Sequence, residues 1–294
     1  MTKLAIVVNK KASRAEDQLS GLKTSLDAVK QGWVYRAEVE PDELKSAIGK
    51  ALKKKPDVLI IGGGDGTVIS AIEQARKASF KGDFAILPLG TANYLARNLD
   101  IPLDAEAALE VALNGSAREA YLSSVNGRLF SLMASAGLTT GVSKQVTVKQ
   151  KQRFGQLAYV AHALRMLGKQ ESFKYEITTK SKQVKGTTHQ ILVLNADLNQ
   201  HLPITPEGDL ESPNLRVLIY ESNRSAIKVL FSVLTYLVSI GKFRPGLAEY
   251  RVGEAKIDTT PRQDISVDGE VHTKTPMDVG VVKQPVSIIT NRGN

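Results

Sequence analysis

Short apolar runs rich in β-branched residues alternate with longer amphipathic stretches through roughly the first 120 residues. The apolar runs predict strands at residues 4–8, 34–39, 58–61 and 84–87. The stretches between and after them predict helices at residues 15–30, 41–55, 68–78, 92–99 and 105–113. This alternation is typical of a parallel sheet covered by helices. Asn114-Gly115 follows the last helix and predicts a left-handed backbone at its end.

From about residue 121 the pattern changes to short strands separated by turns, which is typical of antiparallel sheet. Strands are predicted at residues 121–125, 128–134, 175–179, 190–195, 215–220, 257–259, 265–267, 279–282 and 286–290. Helical stretches at residues 156–167 and 225–240 interrupt them. The second is apolar on almost every face, which predicts core packing, with a lipid-facing groove as the alternative.

The expected fold class is therefore α/β with two domains. The first is an α/β parallel-sheet domain over residues 1–120, and the second is a mostly antiparallel β domain with helical insertions over residues 121–294. This division allows the last strand to return to the first domain. With 294 residues, of which 42% are hydrophobic, the chain is long enough to build a core in each domain.

The amino-acid composition excludes several kinds of functional site and binding partner. The chain has no cysteine, which excludes disulfides, thiolate metal sites and cysteine nucleophiles and fits a cytoplasmic location. Its longest apolar stretch, residues 229–240, is too short to span a membrane. A formal charge of +9 favours anionic partners, whereas 5% aromatic residues argue against a nucleic-acid partner. The basic stretch at residues 144–153 fits either a solvated surface or attraction to an anionic membrane.

A glycine cluster directly follows the predicted buried strand at residues 58–61. It reads Gly62-Gly63-Gly64-Asp65-Gly66-Thr67 and precedes a predicted helix. Ligands of open α/β sheets bind at this end of a strand, where glycines let the backbone approach a phosphate and the helix N-terminus attracts it. The run lacks the Gly-Lys-Ser/Thr of a Walker loop and the third glycine of the dinucleotide fingerprint. It predicts a phosphate cradle of another type.

A second cluster follows the next strand. It reads Pro88-Leu89-Gly90-Thr91-Ala92-Asn93-Tyr94-Leu95-Ala96-Arg97. By itself it is typical of an ordinary loop that begins a helix, with Thr91 or Asn93 as the cap. Because both clusters end neighbouring strands of one sheet, we expect them to form adjacent walls of one cleft.

Together the two clusters resemble the diacylglycerol kinase catalytic family, which includes bacterial lipid kinases and sphingosine kinases and is related to NAD kinases. The resemblance implies that ATP binds in a cleft between the two domains. The first domain would bind the nucleotide, and the second would bind the acceptor. It implies nucleotide contacts by Asn9, Gly62, Gly63, Gly64, Asp65, Gly66, Thr67, Gly90, Thr91 and Asn93. Several positions depart from the family. The first strand ends in Val8-Asn9-Lys10-Lys11-Ala12-Ser13 in place of Asn-Pro-x-Ser-Gly, Ile69 and Ser70 replace Asn-Glu, Tyr94 replaces Asp, and Ser212-Pro213 replaces Asp-Gly.

The later segment Asp268-Gly269-Glu270 resembles the DGE segment of the same family, which lies on a strand facing the cleft. Asp-Gly is equally typical of a hairpin turn. An acceptor hydroxyl needs a carboxylate to take its proton, and the resemblance favours Glu270 for that role, with Asp268 next. Two residues apart on a strand, they are expected to point to the same side.

The resemblance also implies Mg²⁺ with the nucleotide, and a second, structural Mg²⁺ at a loop where Asp209 fits the family pattern. The predicted function is an ATP-dependent kinase that phosphorylates a hydroxyl of diacylglycerol or a similar lipid at an anionic membrane surface. Two alternatives stay open. One is an NAD kinase-like enzyme with a soluble acceptor, and the other is a nucleotide-binding regulatory protein without turnover.

Overall fold

The chain forms two compact units in the computed structural model, which describes residues 2–29, 32–137, 172–195, 210–221 and 247–291. Unit 1 comprises Met1–Leu122 together with Lys283–Asn294, and unit 2 comprises Ser123–Val282. The predicted fold class is confirmed, because unit 1 contains a mostly parallel sheet with helices and unit 2 an antiparallel sheet. The predicted helices at 156–167 and 225–240 and the basic stretch at 144–153 lie outside the described residues.

The sheet of unit 1 contains six strands, which are β1 (Leu4–Asn9), β2 (Trp33–Val39), β3 (Val58–Gly63), β4 (Asp83–Pro88), β5 (Ser116–Ala120) and β17 (Val286–Thr290). Their order is β2-β1-β3-β4-β17-β5. The strands from β2 to β17 are parallel along this order, and β5 is antiparallel to β17. The strand β17, close to the end of the chain, therefore lies inside the sheet of unit 1.

Burial explains why the central strands were predictable. Leu59, Ile60 and Ile61 of β3 are fully buried, as are Ala5 and Val7 of β1. Strands covered on both faces are continuously apolar, and that pattern stands out in a sequence. Strand β5 has no such pattern, because four of its five residues are exposed. Its backbone pairing with β17, which the sequence does not reveal, fixes it as a strand.

Five helices of unit 1 are described, namely α1 (Ala15–Ala28), α2 (Leu44–Lys53), α3 (Asp65–Lys77), α4 (Tyr94–Asn98) and α5 (Ala105–Asn114). Helix α3 begins three residues earlier than predicted, because Gly64 is extended and Asp65 already has helical conformation. The left-handed backbone predicted after α5 is wrong: Gly115 is extended, with φ −72° and ψ −171°. It leads directly into β5 and passes so close to the Thr290 carbonyl that a Cβ would lie 2.3 Å from that oxygen.

Unit 2 is built from eleven strands among the described residues. They are β6 (Ser123–Val125), β7 (Arg128–Phe130), β8 (Met133–Gly137), β9 (Phe173–Thr178), β10 (Gln183–Leu194), β11 (Leu215–Glu221), β12 (Leu247–Val252), β13 (Glu254–Thr260), β14 (Asp264–Val267), β15 (Glu270–Lys274) and β16 (Met277–Val281). All the pairings between them are antiparallel.

The core of unit 2 follows the two-residue repeat of a half-buried sheet. On β9, Phe173, Tyr175 and Ile177 point inward and are buried, whereas Lys174 and Thr178 are exposed. Among the described residues of both units, no helix is long and apolar enough to cross a membrane.

The position of β17 inside unit 1 predicts that this unit depends on a strand from the far end of the sequence. Ile288 of β17 is fully buried beside β4 and β5. We expect Ile288→Ala to lower the free energy of unfolding of unit 1 by about 2–5 kcal/mol, and Ile288→Val by about 0.5–1.5 kcal/mol. Urea denaturation followed by the fluorescence of Trp33, the single tryptophan, reports on this unit. Equal midpoints for Ile288→Ala and the wild type would contradict this role of β17.

Candidate active site

Three segments of unit 1 meet at the carboxyl edge of its parallel sheet. They follow β1, β3 and β4, which are neighbours in the order β1-β3-β4. They are the loop at residues 10–14, the turn at Gly64 and the loop at residues 89–93. The carboxyl edge of an open parallel sheet is where such folds bind ligands.

The turn between β3 and α3 has almost no length. Strand β3 ends at Gly63, Gly64 is the N-cap, and α3 begins at Asp65. The first N–H groups of an α-helix point out of its end, and the helix dipole makes that end partly positive. The segment therefore has the local geometry of an anion site.

The glycines of this turn differ in which neighbouring atoms leave no space for a side chain. A Cβ on Gly63 would lie 2.6 Å from the side chain of Thr67, and a Cβ on Gly62 would lie 3.0 Å from Val8. Gly66 is exposed in the first turn of α3, and a Cβ added to it would have no heavy atom of the described residues within 4 Å. Packing of the protein explains the first two glycines, and it does not explain Gly66.

The two glycine-containing segments touch each other through their backbones. A Cβ on Gly90 would lie 2.5 Å from the Cα of Gly64, and a Cβ on Gly64 would lie 3.3 Å from the Cα of Gly90. Neither position has room for a larger residue without a shift of the other segment. The structure thus brings together the two segments that the sequence placed on adjacent walls.

Asn93 shapes the second segment from within. The residue is 3% exposed and has a left-handed backbone with φ +51°. Its Oδ1 accepts a hydrogen bond from the Gly90 N–H at 2.9 Å. Its Nδ2 donates to the carbonyl oxygens of Pro88 at 3.1 Å and of Gly90 at 2.7 Å. The predicted ligand Asn93 therefore holds the loop in shape through its own side chain.

Side-chain hydrogen bonds connect all three segments. Asn9 Nδ2 donates to Thr67 Oγ1 at 3.3 Å, which connects the end of β1 to the first turn of α3. The hydroxyls of Ser13 and Thr91 are 2.8 Å apart. Asp65 Oδ1 accepts from the Leu95 N–H at 3.0 Å. Sequence reasoning had suggested Asn9, Asp65, Thr67 and Thr91, but it missed Ser13, because a lone loop serine has no distinctive spacing.

Two of the positions that depart from the family pattern, Ile69 and Ser70, lie on α3 beside this network. Ile69 is 8% exposed and packs in the core. The carbonyl of Ser70 accepts a hydrogen bond from Gln74 Nε2 at 3.3 Å. An apolar, buried side chain at position 69 offers no polar atom to a ligand, so Asp65 is the carboxylate that this segment provides.

The candidate carboxylates of unit 2 lie at a hairpin. The prediction that Asp268 and Glu270 stand on one strand is wrong, because β14 ends at Val267 and β15 begins at Glu270. Asp268 and Gly269 form the two-residue turn between them, with φ +48° and +89°. Two positive φ values are typical of the tight hairpin turn that Asp-Gly favours.

Both oxygens of the Asp268 carboxylate accept hydrogen bonds from residues 131–133, which connect β7 to β8 and include the first residue of β8. Oδ2 accepts from the N–H of Ser131 at 2.7 Å and from its hydroxyl at 3.0 Å. Oδ1 accepts from the N–H of Leu132 at 2.9 Å and of Met133 at 3.1 Å. Asp268 thus binds the protein itself with four hydrogen bonds.

Glu270 has a different environment, because 76% of its side chain is exposed. Its Oε2 lies 3.7 Å from Nε2 of His272. The other ring nitrogen, Nδ1, lies 3.1 Å from a guanidinium nitrogen of Arg128. Since a guanidinium only donates, Nδ1 accepts and Nε2 carries the hydrogen that faces Glu270.

The predicted metal ligand Asp209 lies outside the described residues. Within the part of the chain that the structure describes, no group of three or more histidine, aspartate or glutamate side chains is arranged to hold a metal ion.

Known proteins resemble this chain in sequence and in fold. A Staphylococcus carnosus protein named "Putative lipid kinase" is 25% identical over 236 residues, which cover 79% of this chain and 76% of that protein. A Staphylococcus aureus protein of similar name is 24% identical over 245 residues, covering 82% and 79%. The crystal structure of "a putative diacylglycerol kinase from Bacillus anthracis str. Sterne" superposes with a TM-score of 0.81 at 19% identity, covering 99% of this chain and 97% of that one.

The family model of the diacylglycerol kinase catalytic domain matches residues 3–125, which include both glycine-containing segments. This match confirms the resemblance that those segments predicted. The match, together with these relatives, supports placing residues 3–125 in the diacylglycerol kinase catalytic-domain family.

Proposed function

We propose that the protein is an ATP-dependent lipid kinase that phosphorylates a hydroxyl of diacylglycerol or a similar lipid. The observation that carries the proposal is the backbone contact of Gly64 with Gly90 beside the open first turn of α3. The similar staphylococcal proteins named "Putative lipid kinase" support the choice of acceptor class.

The space beside Gly66 is where the phosphates of a nucleotide would bind in this proposal. The part of the fold that the structure describes places no atom at that position, and a triphosphate there would use both the free volume and the partly positive end of the helix. The loop at Thr91 borders the same turn through the contact between Gly64 and Gly90. In the proposal, residues 62–67 bind the phosphates, and Gly90, Thr91 and Asn93 form and shape the adjacent wall.

Mg²⁺ bound with the nucleotide would neutralise charge on the phosphates, which is what it supplies to phosphoryl transfer in general. It is commonly held by one or two carboxylates together with phosphate oxygens. Asp65 is the residue that would hold it here. A second ion at Asp209 stays a prediction.

The acceptor hydroxyl must lose its proton as the phosphoryl group is transferred. In the proposal a carboxylate of the β14–β15 hairpin, Glu270 or Asp268, accepts it. The formal charge of +9 supports attraction of the enzyme to an anionic membrane surface from the cytoplasm, where a lipid substrate would be found.

Gly66→Ala tests the phosphate site without disturbing the fold. Since a methyl group at this helical position meets no neighbour among the residues that the structure describes, we expect the melting temperature to be unchanged or slightly raised. We expect the affinity for ATP, measured by isothermal titration calorimetry, to fall at least about tenfold, because the methyl would occupy the space proposed for phosphate.

Gly49→Ala is the matched control, since Gly49 lies in helix α2 and likewise has no described atom within 4 Å of an added Cβ. It should leave the affinity for ATP unchanged. Gly90→Ala should lower both stability and affinity, because it forces the two segments apart. Wild-type affinity in Gly66→Ala would contradict phosphate binding at this turn.

The acceptor is tested with labelled ATP and a panel of diacylglycerol, long-chain bases, phosphatidylglycerol and NAD. We expect label on a lipid, and transfer reduced by about 10²–10⁴-fold when the carboxylate that accepts the proton is neutralised, as in Glu270→Gln or Asp268→Asn. Transfer to NAD instead would favour the NAD kinase-like alternative. Binding of ATP without transfer to any acceptor would favour a regulatory protein.

A further inference from the structure

We infer that Asp268 and Asn195 are positioning residues, which hold the hairpin that carries Glu270, the residue that the family resemblance already favours as proton acceptor. This inference rests on the proposed function, and it removes Asp268, the second candidate of the sequence analysis, from direct proton transfer. We call Asp268 and Asn195, together with the segment at residues 130–133 that lies between them, the clamp.

The first argument is the capacity of the Asp268 carboxylate. A carboxylate has about four lone-pair positions for hydrogen-bond donors. Asp268 fills four with two donors of Ser131, the N–H of Leu132 and the N–H of Met133. To accept a proton from a substrate, it would have to release one of these donors. Release would leave a polar group of this segment without a partner, where Ser131 is fully buried and Leu132 is 4% exposed.

Asn195 provides hydrogen-bond donors to the carbonyl groups of the same segment. Its Nδ2 donates to the carbonyl oxygens of Phe130 and Ser131, both at 3.3 Å. Its backbone N–H donates to the carbonyl of Leu132 at 2.9 Å. Asn195 is 5% exposed. Asp268 therefore binds the N–H groups of the segment and Asn195 binds its carbonyls, so a turn that lies in the interior has partners of both kinds.

The clamp also fixes the hairpin turn. The backbone N–H of Asp268 donates to the Met133 carbonyl at 2.9 Å, and the Met133 N–H donates to the Asp268 side chain. Asp268 is thereby held at φ +48°, a conformation that is uncommon for a residue with a side chain. Glu270 begins the next strand and pairs with Val267 across the turn. With most of its side chain exposed, Glu270 owes its position to this backbone.

Glu270 therefore has what Asp268 lacks, namely carboxylate oxygens open to an incoming hydroxyl. The titratable and charged groups that face it among the described residues are His272 and, behind that ring, Arg128. A general base needs both reach and free lone pairs. Of the two candidates, only Glu270 meets the second condition.

Amide hydrogen exchange tests the clamp without any substrate. In Asp268→Asn, an NH₂ group replaces one acceptor oxygen, so the N–H groups of residues 131–133 should exchange about tenfold faster or more. Ser131→Ala removes one donor and leaves the carboxylate, so it should give a smaller increase and remain folded if Asp268→Asn does not. Unchanged exchange at residues 131–133 in both variants would overturn the clamp.

The pH dependence of kcat tests the division of roles. The wild type should show an acidic limb, where kcat falls as the base becomes protonated. Glu270→Gln should lose about 10²–10⁴-fold in kcat together with that limb. Asp268→Asn and Asn195→Ala should keep the limb at the same pH while kcat falls up to about 100-fold and KM for ATP is unchanged. His272→Gln should also keep it, which excludes the histidine as its origin.

Loss of the limb in Asp268→Asn, with its retention in Glu270→Gln, would overturn the division of roles. If the wild type transfers phosphate to no acceptor, the proposed function fails and the role of Glu270 fails with it. Faster exchange in Asp268→Asn would still establish the clamp in that case. The two failures are therefore distinguishable.

Discussion

The contact between the backbones of Gly64 and Gly90 is the constraint on which the candidate site of unit 1 depends. It requires the ends of two neighbouring parallel strands to approach more closely than any side chain allows. Around it, Asn93 folds one segment, and Asn9 and Asp65 bind across to the next. A rigid arrangement of this kind, beside a helix N-terminus, holds a binding surface in place before a ligand arrives.

In unit 2, side chains likewise provide hydrogen bonds to backbone groups that are buried. The segment at residues 130–133 is a turn placed in the interior, where unpaired N–H and carbonyl groups are costly. Asp268 and Asn195 provide acceptors and donors from two other parts of the chain. A carboxylate that already accepts four hydrogen bonds from the protein is poorly suited to accepting a proton from a substrate, whereas the side chain of Glu270 is mostly exposed.

Local pattern predicted much of this molecule, and its failures have physical causes. The buried strands β1 and β3 were found because covering both faces requires continuous apolar residues. Strand β5 was missed because pairing with β17, not burial, makes it a strand. The early start of α3 was missed because glycine has poor helix propensity, and the capping geometry at Gly64 overrides it. Asp268 was placed on a strand, although the turn preference of Asp-Gly was visible.

By itself, the sequence determined the fold class, the two glycine-containing segments and the family that they resemble, because these depend on residue types at short spacing. Only the tertiary structure decided which atoms meet: that Gly64 touches Gly90, that Ser13 bonds Thr91, and that four donors fill the Asp268 carboxylate. The reason is that these partners are 26 to 137 residues apart in the chain. Contacts between residues so far apart produce no recurring pattern in the sequence. Asp268 and Glu270 look alike in sequence, and their neighbours in space distinguish them.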